Sequence, residues 1–99
     1  MTAANLQQIL ERLRQKKLEA RERYGIEFIG VVGSIARGDE TAASDVDVLM
    51  DIVGHTTYFR IGELESELET DLGRHVDLVD RKTLRPALQA NMERDLVPV

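Results

Sequence analysis

The sequence predicts an α/β (α+β) domain in which a small mixed sheet of three or four strands packs against helices. Apolar residues recur at helical spacing in two long segments. Short runs rich in β-branched residues separate these segments, and glycine follows most of the elements. With 99 residues the chain can build one hydrophobic core, so we expect a single domain over residues 1–99.

The first helix is predicted over residues 3–24, with Thr2 or Asn5 as its cap and Gly25 as its end. Its apolar positions follow helical spacing: Leu6, Ile9, Leu10, Leu13 and Ala20. Its other face mixes basic and acidic side chains, which is typical of a solvated surface. The alternative interpretation is a basic docking face for an acidic partner.

Two buried strands are predicted next, over Ile26 to Val32 and from about Asp45 to Ile52, because both runs are short and rich in β-branched residues. The first strand ends at a glycine. Between the strands, residues 34–38 favour a brief helix, and the polar residues 39–44 favour a surface loop.

A second long helix is predicted in the latter half, capped by Thr56 or Thr57 and ended by Gly73. Tyr58, near its start, is expected to pack, with self-modification as the alternative. The four glutamates of this helix are expected to be solvated: Glu63, Glu65, Glu67 and Glu69. A third strand over residues 75–79, a short helix from Thr83 and a non-helical apolar tail over residues 96–99 complete the prediction.

Composition excludes several classes of function. The formal net charge of −5 argues against a groove that tracks a nucleic acid. The absence of cysteine excludes disulfides and thiolate sites and fits a reducing cytoplasm. No apolar run approaches a membrane span, and the first residues do not resemble a secretion signal. We therefore expect a cytoplasmic protein without nucleic-acid or membrane partners.

Three aspartates carry the strongest chemical signal. Asp45 and Asp47 lie two residues apart at the start of a predicted strand, so their carboxylates point to one side and suit a hard divalent cation. In isolation this pair is often a loop cap plus an exposed strand residue. However, Asp77 lies inside an apolar strand, where an unpaired buried carboxylate would be costly. We expect Asp77 to converge on the first two aspartates.

Such a triad suits nucleotidyl transfer. An ion on Asp45 and Asp47 would orient a triphosphate, and Asp77 would share a second ion or act as the base. Gly33 and Ser34 follow a strand and can hold phosphate, although most Gly-Ser pairs are plain turns. Arg37 can offset triphosphate charge or be a surface arginine. His55 and His75 are candidates for metal ligands or acid–base groups, but their positions, in a loop and at the entry of a strand, are ordinary.

The combined pattern resembles the minimal nucleotidyltransferase (MNT) family of the DNA polymerase beta superfamily. The resemblance covers residues 26–80 and is carried by the motifs Gly-Ser-x-Ala-Arg-Gly, Ser-Asp-x-Asp and Val-Asp-Leu-Val. It implies the nucleotidyltransferase fold, ATP as substrate and Mg²⁺ as cofactor. It further implies that Gly33 and Ser34 hold the triphosphate, that Asp45 and Asp47 bind metal, and that Asp77 is the third carboxylate.

Many stand-alone proteins similar to this are antitoxins paired with a HEPN-domain ribonuclease toxin. The resemblance implies transfer of AMP to a toxin tyrosine within a hetero-oligomer, and the apolar tail over residues 96–99 is expected to help docking. Two alternatives stay open at this point. One is a non-catalytic antitoxin that blocks the toxin by binding, and the other is nucleotidyl transfer to a small molecule or RNA.

Overall fold

Four strands form one mixed sheet in the computed structural model of the chain, which describes residues 3–99. Across the sheet the order is β3-β2-β1-β4; β2 and β3 are parallel, and the other pairs are antiparallel. The elements in chain order are α1 (Leu6–Tyr24), β1 (Ile26–Val32), α2 (Ser34–Arg37), β2 (Val46–Ile52), α3 (Tyr58–Leu72), β3 (Val76–Asp80), a 3₁₀ turn (Arg81–Thr83), α4 (Pro86–Arg94) and β4 (Val97–Pro98). The predicted fold class is confirmed.

The two long helices begin and end as the capping signals predict, with small shifts. Asn5 caps α1 because its side chain accepts from the Gln8 amide while the Gln8 side chain accepts from the Asn5 amide. The helix therefore starts at Leu6 rather than residue 3, and the alternative cap Thr2 lies outside the described residues. Thr57 caps α3, and Gly73 ends it in the left-handed conformation.

The core lies between α1, α3 and one face of the sheet. Alternation along β2 turns Val46, Val48 and Met50 toward the helices, where they are fully or almost fully buried. The intervening residues, Asp47 and Leu49 among them, point to the opposite face of the sheet. One face of β2 therefore builds the core, and the other is available for chemistry.

The C-terminal tail is not helical, as predicted, and it adds a strand to the sheet. Val97 and Pro98 form the edge strand β4 beside β1, and a Cβ on Gly30 would lie only 2.3 Å from the Val97 carbonyl oxygen. Glycine at position 30 is what allows this strand to approach. The prediction that the tail is not helical is thus confirmed, because Val97 and Pro98 extend the sheet; the expected help in docking stays a prediction.

Two local predictions are wrong. The last helix starts at Pro86 rather than Thr83, because Asp80 caps a separate 3₁₀ turn and proline occupies the first helical position. Tyr58 does not pack, since it is 94% exposed. Within residues 3–99, no helix is long and apolar enough to cross a membrane.

Candidate active site

The parallel pairing of β2 with β3 places ligand-type side chains next to each other. In the register of these strands Asp47 pairs with Asp77, so both side chains leave the sheet on the same face. Asp45 lies two residues before Asp47, and His75 lies two residues before Asp77, so each directly precedes its strand. The two positions are joined by a hydrogen bond in which the Val46 amide donates to the His75 carbonyl at 2.8 Å. The result is a two-by-two array of three aspartates and one histidine.

Three members of this array can reach one cation. One ligand atom each of Asp45, His75 and Asp77 lies within 4.8 Å of the others. Two carboxylate oxygens and an imidazole nitrogen are a donor set that holds divalent ions. The two carboxylates fit the Mg²⁺ that the resemblance implies, and the imidazole is a further donor from a histidine that the sequence analysis treated as ordinary.

Asp47 does not belong to the group formed by Asp45, His75 and Asp77, but its carboxylate interacts electrostatically with the two aspartates of that group. Burial raises the pKa of Asp47, and the negative charges of Asp77 and Asp45 raise it further. The carboxylates therefore lie close enough to repel one another, which a bound cation would relieve.

Gly33 lies directly against Asp47. Its φ of 83° and ψ of −157° are open to glycine but strained for other residues, and a Cβ there would lie 2.7 Å from Asp47 Oδ2. Glycine is thus required for both the backbone turn and the space beside the carboxylate. The brief helix α2 follows from Ser34, as predicted.

Arg37 ends α2 and shares a small cleft with Gly33 and Asp47. The cleft has a volume of about 180 Å³, and Asn91, Met92 and Asp95 line its other side. Arg37 is exposed, with its guanidinium nitrogens 3.5 Å from carboxylate oxygens of Asp39 and Asp95. At this separation the contacts are weak, so the guanidinium can turn to an incoming anion.

A larger cleft of about 870 Å³ lies along β3, between that strand and the start of α3. Its walls include Ile61 and Leu78 on the helix side of the sheet, and Asp77 contributes at its border. The smaller cleft holds the glycine turn, Arg37 and Asp47, so we assign the chemistry to that side of the sheet.

His75 is held from both sides by carboxylates. Its Nδ1 lies 2.7 Å from Glu69 Oε2, and its Nε2 lies 3.3 Å from Asp77 Oδ1. Desolvation lowers the pKa of His75, but the negative charges of Asp77, Glu69 and Asp45 outweigh it and raise the pKa above its ordinary value. A signal for this role was present in the sequence, because His75 precedes Asp77 at the same two-residue spacing as Asp45 precedes Asp47.

Arg74 fixes the loop that leads to Asp45. Its guanidinium donates to the carbonyls of Ala4, Thr41 and Ser44 at 2.9 to 3.0 Å. One side chain therefore joins the start of α1 to the loop before β2. Sequence reasoning missed it because a lone arginine after a helix has no local signature.

The predicted site residues thus occupy one region, with one difference in environment. Asp77 was expected to be buried, yet its side chain is 51% exposed. The edge position of β3 explains this exposure, because only one neighbouring strand covers it. His55, by contrast, lies exposed in the loop before α3.

Comparisons with known proteins agree with this geometry. Residues 6–98 match the family model described as nucleotidyltransferase domain. The chain is 38% identical over 99 residues to the protein adenylyltransferase MntA of Thermococcus cleftensis, covering all of both chains. It superposes on a solved minimal nucleotidyltransferase with a TM-score of 0.79 at 30% identity, again over both full chains. A second structure, a toxin-antitoxin with AMP-PNP, matches with a TM-score of 0.60 at 25% identity, covering 85% of this chain and 63% of that one.

Proposed function

This chain belongs to the nucleotidyltransferase domain family, and from that premise we propose that it transfers AMP from ATP to a tyrosine hydroxyl of a partner HEPN ribonuclease toxin. The transfer would neutralise the toxin in the cytoplasm, with the two proteins forming a hetero-oligomer. A full-length relative named protein adenylyltransferase supports the reaction. A structural neighbour described as a toxin-antitoxin with AMP-PNP supports the partner class and the nucleotide.

The observation that carries the proposal is the β2–β3 register, which pairs Asp47 with Asp77 beside Asp45. We assign Asp45, Asp47 and Asp77 as metal ligands, with Mg²⁺ as the cofactor. When bound, Mg²⁺ would offset the triphosphate charge and favour ionisation of the attacking hydroxyl. Burial raises the pKa of Asp47 and the charges of Asp77 and Asp45 raise it further, and their proximity supports this assignment because a cation would relieve the repulsion.

We assign triphosphate binding to Gly33, Ser34 and Arg37. The missing side chain at Gly33 leaves room for phosphate oxygens beside Asp47, and Ser34, the next residue in the chain, carries a hydroxyl that could donate to them. Arg37 lines the same cleft and supplies a guanidinium that pairs well with phosphate. Together these groups would hold the α-phosphorus near the carboxylates.

We also assign Asp77 as the general base. The acceptor hydroxyl oxygen attacks the α-phosphorus while the Asp77 carboxylate takes the hydroxyl proton. A new bond joins the α-phosphorus to the tyrosine oxygen, the bond from the α-phosphorus to the bridging oxygen breaks, and pyrophosphate leaves. The exposure of Asp77 supports this role, because a macromolecular acceptor must reach it from solvent.

The test uses the full chain, ATP labelled at its α-phosphate, and as acceptor the product of the neighbouring gene, which the proposal expects to be a HEPN protein. We expect label on the HEPN protein, an added AMP on a tyrosine by mass spectrometry, and loss of both in Asp45→Asn/Asp47→Asn. Asp71→Asn is the control, since Asp71 pairs with Arg12 at the surface.

The alternatives give different results. Label transfer at the parent rate by the double variant would show that the site is wrongly assigned. Suppression of the ribonuclease without any added AMP, by parent and double variant alike, would replace catalysis with blocking by binding. Label on RNA or a small molecule instead would change the acceptor class.

A further inference from the structure

We infer that His75 is a ligand of the metal in this site, through Nε2, and that the site binds a first-row transition-metal ion such as Mn²⁺ more tightly than Mg²⁺. The inference rests on the proposed function and deepens it, because it names the class of metal. It concerns a residue beyond the three aspartates that the family pattern supplies.

The distances fit shared coordination. Nε2 of His75 lies 3.3 Å from Asp77 Oδ1, and one ligand atom each of Asp45, His75 and Asp77 lies within 4.8 Å of the others. In an octahedral site, neighbouring ligand atoms are about 2.9 Å apart and opposite ones about 4.2 Å. Small side-chain rotations of Asp45 and Asp77, both at least partly exposed, would bring the three atoms to these separations.

Glu69 orients the imidazole. Its Oε2 lies 2.7 Å from His75 Nδ1 and also accepts the Val76 amide at 3.0 Å, so the carboxylate is itself fixed by the backbone. Contact of Nδ1 with Glu69 leaves Nε2 facing the aspartates. A histidine that binds metal through one nitrogen and donates to a carboxylate through the other is the usual arrangement of metal-site histidines.

The imidazole changes which ion the site prefers. Mg²⁺ favours oxygen ligands and keeps several waters, whereas first-row transition-metal ions also accept imidazole nitrogen, least strongly Mn²⁺ and more strongly Fe²⁺, Ni²⁺ and Zn²⁺. Two carboxylates alone would suit Mg²⁺ well. The added nitrogen therefore shifts selectivity toward ions that accept mixed oxygen and nitrogen ligands.

The test compares the parent chain with His75→Gln, using Mn²⁺ alone and Mg²⁺ alone as probes. Gln replaces the nitrogen donor with an amide that offers oxygen, at an exposed position where folding should be unaffected. His55→Gln is the matched control, because it removes the only other histidine of the chain from an exposed loop. Circular dichroism checks that each variant is folded.

Pulsed electron paramagnetic resonance of the Mn²⁺-loaded protein detects a directly bound imidazole nitrogen. We expect nitrogen coupling in the parent and in His55→Gln, and its loss in His75→Gln. We also expect His75→Gln to weaken Mn²⁺ binding about ten-fold or more while Mg²⁺ affinity changes by less than about two-fold.

Absence of nitrogen coupling in the parent, or its persistence in His75→Gln, would overturn the inference even if the parent transfers AMP. Equal losses of Mn²⁺ and Mg²⁺ affinity would also overturn it, since His75 would then act only by shaping the site. A parent chain that shows the coupling but transfers no AMP would support the ligand and contradict the proposed function.

Discussion

Replacing Gly33 with alanine should damage function more than stability. The Gly33 backbone, with φ 83° and ψ −157°, costs an alanine about 1 to 3 kcal/mol. For a domain of this size each kcal/mol lowers the melting temperature by about 4 to 8 °C. The protein should therefore remain folded at room temperature.

The functional loss follows from a single contact. The new Cβ would lie 2.7 Å from Asp47 Oδ2, where ordinary contact begins at 3.4 Å, so the carboxylate must move by about 0.7 Å. Because displacements near 1 Å in a catalytic group cost on the order of 100-fold in rate, we expect AMP transfer to fall by about 10-fold to 100-fold.

Gly38→Ala separates the two effects. Gly38 has the same φ of 83°, but nothing lies within 4 Å of the position of its Cβ. The Gly38→Ala variant should therefore lose about 1 kcal/mol of unfolding free energy and keep most of its AMP-transfer activity. Urea unfolding and labelled-ATP transfer measure both quantities. If Gly33→Ala and Gly38→Ala lost activity equally, displacement of Asp47 would not be the cause.

Three further predictions concern groups around the site and in the core. Arg74→Lys keeps the positive charge but loses the guanidinium that contacts three carbonyl oxygens. The backbone amides of residues 41–45 should therefore exchange hydrogen faster, and AMP transfer should slow several-fold. Unchanged amide exchange would contradict this role of Arg74. Arg81→Met removes the guanidinium partner of Asp51, a residue that is only 8% exposed. The free energy of unfolding, measured in urea, should fall by about 2 to 3 kcal/mol because a buried charge loses its partner. A loss below about 0.5 kcal/mol would mean that the ion pair adds little to stability. The variant Tyr58→Phe retains Tyr24 as its one tyrosine, so ultraviolet titration reports on that residue alone. The pKa of Tyr24 should lie above 10.0, because burial and the hydrogen bond to Glu67 disfavour the phenolate. A midpoint at or below 10.0 would refute the argument.

The aspartates were predictable because their signals are local. The two-residue spacing of Asp45 and Asp47 and the apolar neighbours of Asp77 are visible in the sequence, and Gly33 follows a strand. The strand register, which makes Asp77 the partner of Asp47, is a tertiary fact. This register brings Asp77 to the side of Asp47, in agreement with the convergence of carboxylates inferred from the sequence. The expected burial of Asp77 was wrong.

Most of the missed features depend on contacts between different elements of the fold. Arg74 and His75 act through groups far away in sequence or on another element, and β4 exists because Gly30 leaves space for a distant tail. Likewise Glu65 accepts the Leu78 amide instead of facing only solvent. Periodicity predicts which face of a helix is apolar, but it does not reveal which polar side chain will meet an edge strand.

The glutamates of α3 explain why the site can sit on an edge strand. Glu65 and Glu69 accept the outward amides of Leu78 and Val76, so two donors on the open side of β3 are satisfied within the domain. A one-residue slip of β3 would move Asp77 to the helix face and separate it from Asp47. These two hydrogen bonds oppose such a slip. Because Glu69 also contacts His75, one carboxylate links the register of the strand to the orientation of the imidazole.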